Sequence, residues 1–322
     1  MTETREPVPE PASDPGPRPL GPARLIVNPT AGNGQIRKVL PRLEAALRAG
    51  GMEFDVSRTR AADETQQLAR AALDDGIRYL IAVGGDGTVH HVVNGMFEGR
   101  VPVAEDAVLG VCGTGTASDF VRNFGLDRDV DRVARHLLTP HTMLMDVGVA
   151  EYLDSDGTRA ERLFINIAEA GYGADVVRRA ERLPRSLGRF RYLLAAWAAI
   201  PRVPRTQAEV TVDFTSRTLP LVELVVANGQ FFGGGMKVAP RAIVQDGRLN
   251  VLAFTGTRSQ VFLLTTQLYA GEHLPHPEIV EYQSSTCSVT TTIPLLIEAD
   301  GEVLGTTPAR FSLLKRTLQL SI

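Results

Sequence analysis

Two glycine-rich turns, each placed directly after a predicted strand, have the composition of phosphate-binding loops. The first reads NPTAGNG at residues 28–34, and the second reads GGDGT at residues 84–88. Several backbone N–H groups must point at one phosphate, and the backbone path that allows this needs residues without a Cβ. Asp86 is the only acid of the second turn, and a carboxylate beside phosphates needs a divalent cation between them. The two turns therefore predict a site for a nucleotide and Mg²⁺.

A group of acids near the C-terminus has the chemistry of a general base. Glu298, Asp300 and Glu302 lie within five residues of one another, on a predicted strand and the turn after it. Phosphoryl transfer to an alcohol consists largely of positioning and charge neutralisation, and one carboxylate takes the hydroxyl proton. Taken alone, these acids favour a solvated hairpin turn, because Asp-Gly is a common turn pair.

The elements that must position these residues alternate between strands and helices up to about residue 145. Strands are predicted at 23–27, 54–58, 79–83 and 108–112, and helices at 35–49, 63–75, 88–97 and near 118–124. This alternation predicts a doubly wound, three-layer α/β domain with a parallel sheet. Both glycine-rich turns then lie at the carboxyl ends of strands, where such sheets bind phosphates.

After residue 145 strand-like runs dominate, which predicts a second, β-rich domain with an antiparallel, sandwich-like arrangement. Strands are expected at 145–150, 164–168, 208–214, 222–227, 249–254, 287–291, 295–299 and 317–322, with helices near 175–200 and 260–270. We divide the chain into a disordered proline-rich tail (1–22), the α/β domain (23–145), the β-rich domain (146–305) and a C-terminal segment (306–322). That last segment could return to the first domain.

Six motifs, in this order and spacing, make the chain resemble the diacylglycerol kinase catalytic-domain family of soluble lipid kinases, and the bacterial branch in particular. They are NPTAG at 28–32, GGDGTVH at 84–90, GTASDF at 115–120, ANGQFFGGGMKVAP at 227–240, DG at 246–247 and ADGE at 299–302. The resemblance covers nearly all of 23–322. It implies an enzyme that uses ATP and Mg²⁺ to phosphorylate a lipid alcohol, with diacylglycerol the first expected acceptor and the β-rich domain holding the lipid.

The resemblance also assigns residues to the nucleotide. These are Asn28, Pro29, Thr30, Ala31, Gly32, Thr59, Gly84, Gly85, Asp86, Gly87, Thr88, Val89, His90 and Thr116. One motif departs from the family, which usually reads Gly-Thr-x-Asn-Asp-Phe with a proline two residues before the glycine. Ser118 stands at the asparagine position and Gly113 at the proline position, which leaves the geometry of this third turn open.

The family places its catalytic acid in the Asp-Gly-Glu sequence that ends at Glu302. We assign Glu302 as the proton acceptor with Asp300 beside it, leaving the reverse assignment open, and Asp86 as the acid next to the phosphates. A structural Mg²⁺ site is implied at the Asp246 carboxylate and the carbonyls of Ile243 and Arg248. A plain turn is the alternative there.

Residues 176–205 are strongly basic. The segment contains eight arginines against one acid, Glu181, and it includes Trp197, the only tryptophan of the chain. Arginines that flank an apolar stretch with tryptophan and tyrosine suit contact with an anionic membrane surface. A core helix with solvated arginines fits the same composition.

Composition limits the remaining function classes. With 322 residues the chain suits two domains, and its net charge of −3 argues against a nucleic-acid partner. Its only cysteines, Cys112 and Cys287, are far apart, which argues against a disulfide framework or zinc site and favours the cytoplasm. No apolar run reaches the ~18 residues of a membrane span, so we expect peripheral membrane contact. The oligomeric state is left open.

Two other functions fit parts of the pattern. An NAD kinase would share the GGDGT turn, but the Asn-Glu pair that NAD kinases carry downstream is missing from the sequence. A nucleotide-binding regulator without catalysis is the other alternative. Retention of Asp86, Asp300 and Glu302 argues against it.

Overall fold

The computed structural model describes residues 20–113, 119–126, 129–184, 187, 190–199, 201, 205–257, 260, 264 and 267–322. The first half contains strands β1 (Ala23–Val27), β2 (Phe54–Arg58), β3 (Tyr79–Gly84), β4 (Phe97–Glu98), β5 (Val101–Pro102) and β6 (Val108–Gly113). Its helices are α1 (Ile36–Ala49), α2 (Ala62–Asp74), α3 (Asp86–Met96), α4 (Asp119–Arg122) and α5 (Val130–Leu138).

The second half is mostly strand. Its strands are β7 (Thr142–Leu153), β8 (Arg159–Phe164), β9 (Ile167–Gly171), β10 (Thr206–Val212), β11 (Thr215–Leu221), β12 (Glu223–Ala227), β13 (Leu249–Phe254), β14 (Ile279–Ser284), β15 (Thr286–Thr291), β16 (Leu296–Ala299) and β17 (Glu302–Ser321). Its helices are α6 (Tyr172–Glu181) and α7 (Phe190–Ala199).

The first domain has the predicted three layers. Strands β2, β1, β3 and β6 pair in parallel in that order. Successive side chains of a strand point to opposite faces. In β3, accordingly, Leu80 and Ala82 pack with α2 and α3, while Ile81 and Val83 pack with α1 and α5. The parallel order puts the ends of β1, β2 and β3 side by side at one edge of the sheet.

The β-rich half is sandwich-like, and β17 joins it to the first domain. Strands β14, β13, β12, β9 and β16 form one layer, and β11, β10, β15, β17, β7 and β8 form the other. The two layers enclose a shared apolar core that includes Phe164, Val226, Val251 and Phe311. At its C-terminal end, β17 pairs in parallel with β6 through Gln319 and Leu320. The predicted α/β class with a β-rich second half is confirmed.

Some element boundaries differ from the sequence prediction. The single strand expected at 164–168 is two strands, β8 and β9, because the backbone N–H groups of Ile165 and Asn166 bind a side chain instead of a neighbouring strand. The helix expected at 175–200 is two helices, α6 and α7. Most of the 1–22 tail and much of the helix expected near 260–270 lie outside the described residues.

Candidate active site

The first glycine-rich turn and Thr59 lie together at the ends of β1 and β2. The carboxamide oxygen of Asn28 accepts hydrogen bonds from the Thr30 backbone N–H at 3.0 Å and from the Thr30 hydroxyl at 2.8 Å. Thr59 is buried, and its N–H donates to the carbonyl of Val27 at 2.9 Å. The Asn28 side chain therefore shapes the turn, and the structure brings both predicted nucleotide segments to one edge.

The GGDGT turn has the form of an anion cradle. Helix α3 starts at Asp86 and has no side-chain cap, so its first N–H groups lack partners within the helix. A Cβ on Gly84 would lie 2.2 Å from the Thr88 hydroxyl, and a Cβ on Gly85 would meet nothing within 4 Å. The Thr88 hydroxyl is buried with no hydrogen-bond partner among the described residues. These features fit a phosphate at the N-terminus of α3.

Asp86 has a structural contact that the sequence did not indicate. Its Oδ2 accepts the backbone N–H of Asp119 at 3.1 Å, and its Oδ1 accepts that of Phe120 at 3.0 Å. The acid of the GGDGT turn thereby caps α4. Burial, followed by the charge of Asp119, raises the pKa of Asp86 to about 7. Arg122 Nε lies 3.5 Å from Asp119 Oδ1 and offsets part of this negative charge. The remaining charge of the two carboxylates fits the Mg²⁺ that accompanies a nucleotide.

The two acids of the Asp-Gly-Glu sequence have different environments. The Asp300 carboxylate accepts the backbone N–H groups of Ile165, Asn166 and Ile167 at 2.8, 2.9 and 3.1 Å. His90 Nδ1 lies 3.0 Å from the same carboxylate, whose side chain is only 3% exposed. The Asp300 carboxylate is therefore occupied by hydrogen bonds within the protein.

Glu302, in contrast, is open to a ligand. Its side chain is 41% exposed, and a Cβ on Gly87 would lie 3.6 Å from its Oε1. The carboxylate thus stands beside the glycine turn. Its pKa is lowered, first by the His91 imidazole, whose Nε2 lies 3.5 Å from Oε1, so Glu302 is ionised at neutral pH. Of the two acids, only Glu302 can reach a bound molecule.

Among the residues predicted to bind the nucleotide, His90 and Val89 have buried side chains, and Thr116 lies outside the described residues. The side chain of His90 is 1% exposed and faces Asp300, and that of Val89 is 2% exposed and lies in the core. The structure therefore turns both side chains away from the edge where the nucleotide was expected, because α3 buries them. Thr116 lies outside the described residues, as does Ser118.

Helix α4 connects this edge to the β-rich half through contacts that sequence reasoning missed. Asp119 Oδ2 accepts the N–H of Gly234 at 2.7 Å, and Asn123 Oδ1 accepts that of Gln230 at 2.7 Å. The Asn123 amide also donates to Asn166 Oδ1 at 3.0 Å. The available signal was the 227–240 motif, to which no role had been assigned.

The residues predicted to hold a structural Mg²⁺ lie on one turn. Asp246 is exposed, and its Oδ1 accepts the N–H of Arg248 at 2.9 Å, while its own N–H donates to the Ile243 carbonyl at 3.3 Å. Asp146, fully buried and not predicted, accepts the N–H of Gly247 at 2.7 Å and so holds the turn. No cluster of three or more His, Cys, Asp or Glu side chains suited to a metal occurs within the described ranges.

Glu298, the third predicted acid, belongs to a buried carboxyl group cluster. Glu169 and Glu298 are cross-strand partners on β9 and β16, and Glu223 lies on the adjacent β12. All three are at most 5% exposed. Burial raises the pKa of each of them, and that of Glu169 to about 7. Glu298 is therefore inaccessible to a substrate.

Replacing Glu169 by glutamine should make stability less sensitive to pH. Because the folded pKa of Glu169 is raised, the unfolded state releases this proton first, and wild-type stability falls as pH rises from about 4.5 to about 7. A neutral amide cannot titrate, so Glu169→Gln should remove up to about 3 kcal/mol of that decline. Thermal unfolding between pH 5 and pH 8 measures how stability changes with pH, and Glu209→Gln, at an exposed glutamate, is the control. Identical pH dependence in both variants would contradict the assignment.

Both halves of the chain are similar to known protein families. Residues 22–150 match the diacylglycerol kinase catalytic domain, and residues 166–322 match the YegS C-terminal NAD kinase beta sandwich-like domain. The diacylglycerol kinase of Staphylococcus carnosus is 25% identical over 302 residues, covering 92% of this chain and 94% of that protein. That of Bacillus subtilis is 27% identical over 301 residues, covering 92% and 95%.

A solved structure has a similar fold. The crystal structure of a putative diacylglycerol kinase from Bacillus anthracis superposes with a TM-score of 0.73 at 22% identity, covering 93% of this chain and 96% of that one. At this identity the likeness concerns the fold. The first matched range ends within β7, and the second begins between β8 and β9.

Proposed function

The chain belongs to the diacylglycerol kinase catalytic-domain family of lipid kinases, and we propose that it transfers the γ-phosphoryl group of ATP to the hydroxyl of a lipid alcohol. Diacylglycerol is the first acceptor to test, with phosphatidic acid as its product. One observation carries the proposal. The accessible Glu302 carboxylate stands beside Gly87, where the glycine turn would hold the phosphates.

On the nucleotide side, the chain supplies positioning. The uncapped N-terminus of α3 and the Thr88 hydroxyl would bind the phosphates, and the 28–32 turn with Thr59 would bind the rest of the nucleotide. Asp86 and Asp119 would hold the Mg²⁺, which when bound neutralises charge on the phosphoryl group. Asp86 also accepts two backbone N–H groups of α4, so this side chain would couple nucleotide binding to the position of α4.

On the acceptor side, Glu302 would take the proton of the lipid hydroxyl as the oxygen bonds to phosphorus. An ionised carboxylate is suited to this role. Asp300 would not take part in proton transfer. Its bonds to Ile165, Asn166 and Ile167 hold the turn that presents Glu302.

The decisive experiment is an assay of the purified protein with radiolabelled ATP, Mg²⁺ and several acceptors. Diacylglycerol, a long-chain base, a polyisoprenoid alcohol and NAD⁺ are presented separately, the lipids in mixed micelles. We expect label in the diacylglycerol product. Label in NAD⁺ alone would identify an NAD kinase. Nucleotide binding without transfer to any acceptor would identify a regulator.

We also propose the 243–248 turn as a second Mg²⁺ site. The Asp246 carboxylate is exposed, and the carbonyls of Ile243 and Arg248 lie on the same turn. Magnesium uses few carboxylates and keeps several waters, so one aspartate with backbone carbonyls suits it. Asp146 would hold the turn in place, because its carboxylate accepts the N–H groups of Gly247 and Arg316.

For the membrane, we propose that α7 is the contact. Ala195 and Ala199 are buried against the protein, whereas Leu194 and Trp197 are 52% and 58% exposed. An exposed leucine and tryptophan one turn apart suit the bilayer interface. The local charge is lower than the composition indicated, because Asp175 pairs with both Arg178 and Arg179. Among the described residues, no helix is long and apolar enough to cross a bilayer.

Vesicle binding tests α7 directly, since Trp197 is the only tryptophan. We expect a blue shift of its emission with vesicles containing anionic lipid. Leu194→Asp should weaken binding about tenfold or more, because a charge replaces an apolar group at the interface. Phe214→Asp is the control, since Phe214 is fully exposed on the β10–β11 hairpin. Equal vesicle affinity of both variants and the wild type would exclude α7 as the contact.

A further inference from the structure

His91 contacts the carboxylate that stands beside the glycine turn. It lies one helical turn after Gly87 on α3, and its Nε2 is 3.5 Å from Glu302 Oε1. Its side chain is 11% exposed, whereas that of Glu302 is 41% exposed. A buried imidazole therefore faces an accessible carboxylate, and the same Oε1 also faces Gly87. His91 is not among the residues predicted for the site.

Two neighbouring histidines on α3 face the two acids of one turn. His90 Nδ1 lies 3.0 Å from Asp300, as His91 Nε2 lies 3.5 Å from Glu302. The two rings meet edge to face with centroids 5.3 Å apart. The His90 pair is closed by further bonds from Asn94 and the backbone. In the His91 pair, by contrast, the acid keeps a face toward solvent.

We propose that His91 is a positioning residue for Glu302. The buried Nε2 has no hydrogen-bond partner among the described residues and lies 3.5 Å from Oε1, so its N–H would donate to Oε1 when the acceptor is bound and hold the carboxylate against α3, with Oε2 presented to the acceptor hydroxyl. The proposal rests on the proposed function and adds how the base is oriented. In the step, the lipid O–H bond breaks and its proton goes to Oε2. The lipid oxygen bonds to phosphorus as the bond from phosphorus to the ADP oxygen breaks, and His91 keeps its own proton.

The charges around Glu302 support this assignment. The charged groups near Glu302 are His91 and His90 on α3, Arg162 on β8 and Glu181 on α6, and Asp300 lies two residues before it in sequence. The contact with His91 Nε2 at 3.5 Å is the largest cause that lowers the pKa of Glu302. Removing only this donor should therefore free the carboxylate and raise its pKa.

A matched pair of substitutions separates donation from packing. Gln at position 91 places an amide N–H near the Nε2 position, whereas Leu fills similar space without a donor. We expect His91→Leu to lower kcat about tenfold to a hundredfold, the scale of a misplaced catalytic group, with the KM for ATP unchanged. His91→Gln should stay within about threefold of wild type, because the donor is kept. His141→Leu, at an exposed remote histidine, is the control.

A second readout does not depend on turnover. A carbon-13 NMR titration of the Glu302 carboxyl, assigned with Glu302→Gln, should show a higher pKa in His91→Leu than in wild type and His91→Gln. Unchanged kcat and titration in His91→Leu would overturn the proposal, as would equal loss of kcat in both variants with an unchanged titration. A wild type that phosphorylates no acceptor would instead overturn the proposed function, and the titration would still test the His91 contact.

Discussion

Glu302→Gln will lower kcat by about 10²–10⁴-fold, the usual contribution of a general base, and leave nucleotide affinity nearly unchanged. Glutamine keeps the shape and can still accept a bond from His91, so only the ability to take a proton is lost. Glu302 is the accessible acid beside Gly87. The measurements are steady-state kinetics with diacylglycerol and calorimetric titration with a non-hydrolysable ATP analogue.

Two further variants make this test specific. Glu272→Gln changes an exposed glutamate elsewhere and should leave kcat as in wild type. Asp300→Asn should instead lower the free energy of unfolding by about 1–3 kcal/mol, because an amide would point N–H groups at backbone donors. Full activity of Glu302→Gln would place the base on another residue.

Asp86→Ala will lower kcat by about 10³-fold or more, equal to roughly 4 kcal/mol of transition-state stabilisation. The substitution removes the carboxylate expected to hold Mg²⁺ and the cap of α4. Because both oxygens accept backbone N–H groups of Asp119 and Phe120, we also expect the free energy of unfolding to fall by about 1–3 kcal/mol. Kinetics with varied Mg²⁺ and thermal unfolding measure the two effects.

The control for this variant is Asp74→Ala, which removes an exposed aspartate at the end of α2 and should change neither quantity. Stability loss without loss of turnover in Asp86→Ala would mean that Asp86 only holds α4. Loss of turnover without any stability loss would mean that the two hydrogen bonds contribute little.

The acids illustrate how far sequence reasoning reaches in this chain. Glu298, Asp300 and Glu302 are recognisable as a group, but their order along the chain does not reveal which one meets a substrate. Packing determines which acid is accessible, since Glu298 is fully buried on β16 and Asp300 is enclosed by the 165–167 backbone. Asp300 and His90 are 210 residues apart in sequence, and no local pattern connects them.

By itself, the sequence determined the α/β and β-rich halves, the two glycine-rich turns and the family resemblance, because strand and helix periodicity and glycine requirements are local properties of the chain. The tertiary structure alone decided the accessible acid, the capping of α4 by Asp86, the split between β8 and β9, and the contact of His91 with Glu302. Each of these depends on which distant segments pack together. Burial and hydrogen bonding between such segments are set only once the whole chain has folded.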